Sequence, residues 1–301
     1  QARRRSTVEE KDKGTKTATA AKATPQKKEE KKKDANWTAE GKKQAEEFMK
    51  KYADLGVDGI KAEFKKEVEA YQSPQFGHAA FRANPGKNRH KDPPTCLDET
   101  RVALPDEKAY INASWTYDLQ KIARQYILTQ TPLESTVEDF WKMIFEHKVI
   151  CVVVLCDKTE NGQEIMADFW PTNNGDFHNY GQMAVSNKKI TSIIQFKAWE
   201  ATFTQSSARN LLKIIRVISR TVSLQLEAIS TGPVVVMDEY SGISRASVIT
   251  VVDVMAALIY KGDKDKVKLP DLVMARRCRN GAIKNEDDYL AVIKTIFEYL
   301  Y

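Results

Sequence analysis

The sequence predicts an α/β domain, in which strands and helices alternate around a hydrophobic core. Hydrophobic residues make up 42% of the 301 residues, enough for one large domain with an appendage or for two smaller ones. A β-branched run at 233–237 precedes a Gly-containing turn and a long helix with apolar periodicity at 245–260. This strand-loop-helix crossover, together with the mixed strands and helices before it, is typical of an α/β fold.

The other elements follow from apolar periodicity and from the turn residues that interrupt it. We predict helices near 37–54, 57–71, 136–147, 208–229, 269–279 and 286–300. We predict strands near 110–115, 126–130 and 149–156, and β-hairpins that fill 164–205. The segment between the second helix and residue 108 has no regular period and is predicted to be irregular.

The first 36 residues differ from the rest of the chain in composition. They hold 12 Lys or Arg and 6 Asp or Glu, so they carry the whole net charge of +6, while residues 37–301 contain 35 of each sign. They contain no Leu, Ile, Phe, Trp or Tyr. Such a segment cannot bury enough apolar surface to offset the entropy of ordering, so we predict a disordered basic tail at 1–36 and a domain at 37–301. Arg3–Thr7 resembles a basophilic kinase site, and Lys27–Lys33 suits weak contact with an anionic surface.

Composition excludes several classes of protein. Because the charge is confined to the tail, the basic isoelectric point does not indicate a specific nucleic-acid partner. No apolar run reaches the length of a membrane span. The cysteines (Cys96, Cys151, Cys156 and Cys278) and the histidines (His78, His90, His147 and His178) do not show metal-ligand spacing. We therefore expect no metal and no cofactor, and reduced core thiols in a cytoplasmic protein.

The loop after the 233–237 strand is the strongest candidate site. A strand, a tight loop and a helix start bring backbone N–H groups around a point that favours an anion, and Arg245 adds a planar donor. Gly242 suits a loop position with positive φ. Glu239, however, places a carboxylate where a bound anion is expected. Arg245 either binds phosphate or pairs with Glu239 or Asp238, and we favour the pair, with the Glu239 carboxylate accepting the N–H bonds.

These residues resemble the signature His-Cys-x5-Arg-(Ser/Thr) of the protein tyrosine phosphatases. In this alignment Asp238 stands at the His position, Glu239 at the Cys position and Arg245 at the Arg position, and Ala246 replaces the hydroxyl residue. Further segments resemble motifs of the same family in the same order, over about residues 45–301: Asn84–His90, Asp98–Val102, Tyr110–Ser114, Thr129–Leu133, Asp139–Met143, Glu160–Glu164 and Phe169–Pro171. The resemblance implies a twisted mixed β-sheet flanked by helices on both sides. Leu55–Phe64 also resembles the nematode germline-type phosphatases.

The chain departs from the family pattern where the chemistry takes place. The resemblance implies a thiolate nucleophile, but Glu239 stands at that position. In the segment Phe203–Asn210, where we expect the Trp-Pro-Asp acid loop, neither that tripeptide nor any acid is present. The late motif of the family, in which two glutamines position the attacking water, corresponds here to Lys284–Tyr289. Charged residues replace both glutamines. His90 stands at the position where the family has the tyrosine that stacks on the substrate ring.

The predicted site is therefore a vestigial one, without a catalytic residue. Its degenerate signature loop consists of Asp238, Glu239, Tyr240, Ser241, Gly242, Ile243, Ser244 and Arg245. The vestigial ligand-binding residues are Arg245, Glu239, His90, Asn88 and Lys284. For Asn88 a structural role within the recognition loop is the favoured interpretation, and His90 is either a ring-stacking residue or an ordinary loop residue.

The sequence leads us to expect a catalytically inactive phosphatase-like domain, monomeric, that binds a protein such as a tyrosine-phosphorylated protein or a kinase. One alternative is an enzyme with altered chemistry, in which the Glu239 or Asp238 carboxylate acts with Arg245 on a phosphorylated substrate. Another is the inactive membrane-distal copy of a tandem receptor phosphatase. The sequence does not distinguish docking in the old cleft from docking elsewhere, and we favour docking that does not depend on phosphate.

Overall fold

A computed structural model describes most of the chain beyond residue 36. The described residues are 37–71, 76–106, 109–116, 124–160, 162–173, 175–187, 191–197, 199, 203–226, 232–263, 268 and 274–301. The predicted tail at 1–36 lies outside them.

Seven α-helices and nine strands are described in these ranges. The helices are α1 (Ala39–Glu63), α2 (Ala79–Ala83), α3 (Val137–Glu146), α4 (Gln205–Leu226), α5 (Arg245–Lys261), α6 (Met274–Cys278) and α7 (Glu286–Leu300). A π-helical segment, Phe64–Glu69, follows α1, and 3-10 turns occupy Pro85–Lys87 and Glu134–Thr136. The strands are β1 (Ala113–Trp115), β2 (Tyr126–Gln130), β3 (Cys151–Val154), β4 (Thr159–Glu160), β5 (Gln163–Glu164), β6 (Phe177–Tyr180), β7 (Met183–Ser186), β8 (Ser192–Gln195) and β9 (Val234–Asp238).

Five strands form a central mixed sheet in the order β1-β2-β9-β3-β8. β1 pairs antiparallel with β2, whereas β2, β9, β3 and β8 run parallel to one another. The strands β4 with β5 and β6 with β7 form two separate antiparallel hairpins. In a parallel sheet the carboxyl ends of the strands meet at one edge, so the segments after β2, β3 and β9 lie together.

The sheet is buried on both faces by two hydrophobic clusters. Because side chains alternate along a strand, Val234 and Val236 of β9 face one cluster, while Val235 and Met237 face the other. The first cluster contains residues of α1, α4, α5 and α7, and the second contains residues of α3. Helices therefore flank the mixed sheet on both sides, which confirms the predicted fold class.

Most predicted elements lie within a few residues of their observed bounds, and the predicted break near residue 55 coincides with non-helical backbone at Gly56 (φ 60°, ψ −178°). One of the strand predictions was wrong. Residues 192–195 do not belong to a hairpin, because β8 adds a parallel strand to the edge of the central sheet. Ile193 and Ile194 contact opposite clusters, a pattern typical of a strand covered on both faces. Of the helix predicted at 269–279, residues 269–273 are outside the described ranges.

The start of α4 also differs from the prediction. The helix begins at Gln205 rather than near residue 208. The hydroxyl of Thr204 accepts the Ser207 N–H at 3.3 Å, and the hydroxyl of Ser207 accepts the Thr204 N–H at 3.0 Å. This reciprocal cap satisfies two backbone donors that the first helical turn leaves without a partner. The polar run around Thr204 is therefore a helix start and not part of a loop.

Backbone contact between α1 and α5 fixes the position of α1 on the sheet. Gly41 lies in the first turn of α1, and a Cβ built there would stand 2.8 Å from the carbonyl oxygen of Ile259 and 2.9 Å from that of Tyr260. Both oxygens are backbone atoms in the last turns of α5, so no side chain can rotate away. Only glycine permits this approach.

We predict that Gly41→Ala lowers the free energy of unfolding by about 1–3 kcal/mol, since the added methyl must push the two helices apart. Gly86→Ala is the matched control, because a Cβ at Gly86 meets nothing within 4 Å. Urea unfolding of the two variants checks this. Equal midpoints for both would contradict a close contact between α1 and α5.

Candidate functional site

The candidate site is the loop between β9 and α5, at the carboxyl edge of the parallel strands. Two consecutive residues in it have left-handed backbone, Ser241 (φ 60°) and Gly242 (φ 74°). A Cβ at Gly242 would lie 2.9 Å from both the backbone N and O of Thr129. The positive φ predicted for Gly242 is present, and the loop turns tightly over the end of β2.

The Asp238 carboxylate is the anion that the loop holds. Its Oδ1 accepts the N–H of Gly242 at 2.7 Å, and its Oδ2 accepts the N–H groups of Ser244 at 3.2 Å and Ala246 at 2.9 Å. The residue is fully buried. Burial raises the pKa of Asp238, and the N–H bonds from Ala246 and Gly242 oppose that rise by stabilising the charged form. Three donors at the start of α5 are thus already used within the chain.

This geometry corrects one expectation from the sequence. We expected the Glu239 carboxylate to accept the loop N–H groups, but Asp238 does so. Glu239 is 6% exposed, and neither of its carboxylate oxygens accepts a hydrogen bond from any described residue. Asp238 is the last residue of β9, and Glu239 follows it directly. Because neighbouring side chains of an extended chain point in opposite directions, the Asp238 side chain faces the N–H groups of the loop and the Glu239 side chain does not.

Glu239 is instead paired with Arg245. Its Oε2 lies 3.2 Å from Arg245 Nη1, which is one of the internal pairs expected from the sequence. Burial raises the pKa of Glu239 to about 7, and the neighbouring Asp238 carboxylate adds to the rise, while Arg245 opposes it. The pair therefore does not compensate fully for the loss of solvent around the carboxylate.

Arg245 is held from a second direction by residues that the sequence analysis did not select. Its Nη1 donates to the Leu155 carbonyl and to Glu160 Oε1, each at 2.9 Å. The Trp199 ring centre lies 5.7 Å from the guanidinium carbon. The resemblance of Glu160–Glu164 to a glutamate-bearing hairpin was the available signal for Glu160. With two carboxylates and a carbonyl as partners, Arg245 is neutralised within the chain.

Tyr240 covers the loop between two of the predicted ligand-binding residues. His90 stacks on its ring at 6.1 Å between centroids with a 14° interplanar angle, and Lys284 Nζ lies 3.2 Å from the ring centroid. The His90 Nε2 also contacts the Glu239 carbonyl oxygen at 2.8 Å. His90 therefore does stack on an aromatic ring, but the ring belongs to this chain. The sequence analysis placed Tyr240 in the degenerate loop but assigned it no role, because any residue type suits that position of the signature.

Asn88 is part of the framework beneath the site. It is 4% exposed, its amide donates to the carbonyls of Phe81 and Asn84, and its Oδ1 accepts bonds from Tyr110 and Asn112. Both polar atoms of the side chain therefore have partners within the chain. This agrees with the structural role that we favoured for Asn88.

Arg279 is a buried residue that sequence reasoning missed. It is fully buried, and its Nε donates to the Ser241 carbonyl at 2.5 Å. Its two other nitrogens donate to Ser114 Oγ and to the backbone and side-chain oxygens of Asn112. Arg279 thus ties the left-handed turn at Ser241 to β1. A lone arginine after a short helix gives no periodic signal, so only the fold reveals this role.

The segment Lys284–Tyr289 brings charged side chains to the site, where the family motif has the amide groups of glutamines. Asp288 is 7% exposed, and its Oδ1 accepts a bond from the Ser244 hydroxyl at 3.0 Å. Burial raises the pKa of Asp288 to about 6. Lys284 is exposed to solvent in part, and burial lowers its pKa. Together with Glu160, the loop region has four carboxylates (Glu160, Asp238, Glu239 and Asp288) and three cationic side chains (Arg245, Arg279 and Lys284).

The segment expected to be the acid loop was misplaced. Residues 205–210 belong to α4, so most of Phe203–Asn210 is helical. The residue that contacts Arg245 from this direction is Trp199, which is followed in the sequence by Glu200 and Ala201. Trp199 is therefore the better match for the tryptophan of an acid loop. Glu200 and Ala201 lie outside the described residues.

The four cysteines are all buried and free. Cys156 follows β3 and comes close enough to the loop for the Glu239 and Asp238 charges to act on it, although 82 residues separate it from Asp238 in the sequence. Burial raises the pKa of the Cys156 thiol, and both carboxylates add to the rise. A thiol held in its protonated form is a poor nucleophile.

In the ranges given above, no three or more His, Cys, Asp and Glu side chains are grouped so as to hold a metal ion. In the same ranges, no helix has the length and apolarity that crossing a bilayer requires.

Comparison with known proteins identifies the family. The Protein-tyrosine phosphatase family model matches residues 84–193 and 187–298. The chain is 34% identical over 134 residues to Tyrosine phosphatase-like protein J1 of Microplitis demolitor bracovirus, with 44% of each chain covered. It is 30% identical over 248 residues to human Tyrosine-protein phosphatase non-receptor type 9, covering 71% of this chain and 41% of that protein. It is 28% identical over 295 residues to rat Receptor-type tyrosine-protein phosphatase zeta, covering 83% and 12%.

The chain therefore belongs to the protein-tyrosine phosphatase family. It spans less than half the length of each of these three relatives.

The raised pKa of Glu239 predicts how stability depends on pH. The carboxyl is protonated in both the folded and the unfolded chain below its ordinary pKa of 4.5. Between that value and the folded-state pKa of about 7 only the folded chain keeps the proton, so the folded protein loses stability as the pH rises over this range, and the loss is complete above it. Glu239→Gln removes that loss. We expect the variant to be more stable than the wild type by about 1–3 kcal/mol at pH 8, and the difference to shrink steadily as the pH falls from about 7 towards 5.

Chemical unfolding of both proteins between pH 5 and pH 8 measures this difference. Glu46→Gln on the exposed face of α1 is the control for the loss of one carboxylate outside the loop. A variant less stable than the wild type at pH 8 would mean that the Arg245 pair outweighs burial.

Proposed function

We propose that this chain is a catalytically inactive tyrosine-phosphatase-like domain that acts as a protein-binding or scaffolding module in phosphotyrosine-type signalling. The main support for the proposal is the Asp238 carboxylate, which accepts hydrogen bonds from the N–H groups of Gly242, Ser244 and Ala246. In the family alignment these donors surround the substrate phosphate. A phosphate would have to displace a tethered, buried anion of the same sign.

The residues around the loop support the same proposal. Glu239 stands at the cysteine position of the signature, and a carboxylate is a weaker nucleophile at phosphorus than a thiolate. The alignment through Trp199 puts Ala201 at the position of the general acid, so no proton donor stands there for the leaving group. Tyr240 fills the space between His90 and Lys284 that a substrate ring would need. Nucleophile, acid, phosphate donors and ring site are thus all altered.

The partner is proposed to be a protein, such as a tyrosine-phosphorylated protein or a kinase, bound mainly without recognition of phosphate. Four buried thiols support a reducing compartment, and we propose a cytoplasmic location. The division into a basic tail at 1–36 and a domain at 37–301, the monomeric state and the nematode germline type remain predictions. No metal or cofactor is part of the proposal.

One observation favours the alternative of an enzyme with altered chemistry. A buried carboxyl with a pKa of about 7, as at Glu239, is suited to general-base catalysis near neutral pH. Its oxygens lack hydrogen-bond partners among the described residues. The alternative still needs a second group to protonate a leaving group, and the Glu200 side chain, whose position is not described, is the nearest acid in sequence to Trp199.

An aryl phosphate assay distinguishes the two. We expect turnover by the wild type no faster than by Glu239→Gln, with or without divalent metal ions, because neither protein has a nucleophile with an acid partner. We also expect Glu239→Cys to remain nearly inactive. Turnover by the wild type that Glu239→Gln abolishes would establish the enzyme instead. Robust turnover by Glu239→Cys would show that an acid is present after all, and Glu200→Gln would then identify it.

Anion binding tests the role of Asp238 separately from catalysis. We expect millimolar inorganic phosphate to leave the melting temperature of the wild type unchanged, because the loop donors are already bonded. The triple variant Asp238→His, Glu239→Ser, Tyr240→Ala frees the donors and the ring site, so phosphate should raise its melting temperature. Adding Arg245→Met to that variant is the control and should remove the effect. A phosphate-dependent rise in the wild type itself would contradict the proposed self-occupied loop.

A further inference from the structure

Helix α4 differs from the other long described helices in the sign of its charges. Over its 22 residues it has four basic side chains (Arg209, Lys213, Arg216 and Arg220) and no Asp or Glu. The other described helices of ten residues or more all contain acidic residues. Because residues 37–301 are balanced overall, this helix concentrates positive charge locally on an otherwise neutral domain.

The basic residues of α4 share one exposed face. Lys213, Arg216 and Arg220 are spaced by three and four residues, so they lie along one stripe of the helix, and all three are exposed. The same stripe carries two aliphatic residues with large exposed fractions, Val217 (47%) and Leu224 (60%). We name these five residues the α4 basic face. From Lys213 to Leu224 it is about 16 Å long, at the rise of 1.5 Å per residue.

The charges of this face are not compensated by described neighbours. Arg209, at the start of the stripe, pairs with Glu298 of α7 at 2.6 Å. By contrast, no ion pair among the described residues includes Lys213, Arg216 or Arg220, and Lys213 Nζ contacts only the neutral Asn210 side chain, at 3.3 Å. Three cations and two apolar groups are therefore presented together to solvent.

The opposite face of α4 is fully used in the fold. Leu211, Leu212, Ile214 and Ile218 are buried in the cluster that covers the sheet and contains residues of α7, and Ala208 is buried as well. A helix that binds a membrane surface inserts its apolar face among the lipids, and that face is not free here. A surface for single-stranded nucleic acid needs exposed rings for base stacking, and the α4 basic face has none. Cations interleaved with two aliphatic side chains suit a protein segment instead.

We propose that the α4 basic face is the docking surface for an acidic protein segment, one that offers carboxylates to Lys213, Arg216 and Arg220 and apolar side chains to Val217 and Leu224. This inference rests on the proposed function, because it supplies a phosphate-independent surface for a domain whose old cleft is occupied by Asp238 and Tyr240. Exposed ion pairs contribute little one at a time, so the two apolar contacts provide part of the affinity, while the charges accelerate association and select the partner.

A designed peptide tests the docking surface. The probe is a fluorescent helical peptide with Glu at three positions and Leu at two positions of one face, and its control has Gln in place of each Glu. We expect the wild type to bind the Glu peptide about ten-fold more tightly than the Gln peptide at low salt, with the preference fading as the ionic strength rises. Equal binding of both peptides would overturn the proposal.

Charge reversal locates the surface. Arg216→Glu with Arg220→Glu should weaken binding of the Glu peptide by about ten-fold or more, because attraction becomes repulsion. Lys42→Glu with Lys50→Glu on the exposed face of α1 makes the same change in net charge and should leave binding within about two-fold. Val217→Ser with Leu224→Ser should weaken binding of both peptides without altering the salt dependence. Thermal unfolding confirms that each variant is folded.

Two further measurements distinguish a failure of this inference from a failure of the proposed function. Binding to vesicles containing phosphatidylserine without a preference for the Glu peptide would assign the surface to a membrane and overturn the proposal. Aryl phosphate turnover is measured on the same preparations. Turnover with peptide docking intact would contradict only the proposed function, whereas an inactive protein that fails to bind the Glu peptide would contradict only this inference.

Discussion

The site depends on one interaction, the capture of the Asp238 carboxylate by three backbone N–H groups at the start of α5. A helix N-terminus favours an anion, and a carboxylate attached to the preceding strand is always at hand. It competes with any free anion at a large entropic advantage, since it loses no translational freedom on binding. The loop is therefore stabilised by the same physics that would otherwise make it an anion-binding site.

Two arginines also stabilise this loop through contacts with other parts of the chain. Arg279 is fully buried and bonds the Ser241 carbonyl, which fixes the left-handed turn from below. Arg245 lies at the helix start and joins Glu239 to Glu160 on the hairpin. Because each guanidinium has several partners within the chain, neither is free to hold a ligand. The charges of Arg279 and Arg245 therefore stabilise the loop, whereas those of the α4 basic face are exposed to other molecules.

The fold tolerates these changes because its stability comes from elsewhere. Two hydrophobic clusters cover the two faces of the sheet, and the loop lies at the edge of the strands. Substitutions in the loop alter the chemistry there but remove little of the buried apolar area. The phosphatase framework therefore depends little on the residues of this loop.

Part of the site was readable in the sequence, and part was not. The pairing of Arg245 with Glu239 followed from their closeness along the chain, and the positive φ of Gly242 followed from its place in a tight turn. The roles of Glu160, Arg279 and Trp199 did not, since each comes from a segment distant in sequence that only the tertiary fold brings to the loop. The acid loop was misplaced because the polar start of α4, capped by Thr204, has the composition of a loop.

The sequence by itself determined the α/β class, the family resemblance and the absence of a cysteine from the loop after β9, because these depend on residue type and on local periodicity. Only the tertiary structure decided which of two adjacent carboxylates occupies the loop, and that Tyr240 lies between His90 and Lys284. The physical reason is direction. A sequence fixes which groups are present, but the twist of the strand and the turn of the loop decide where each one points.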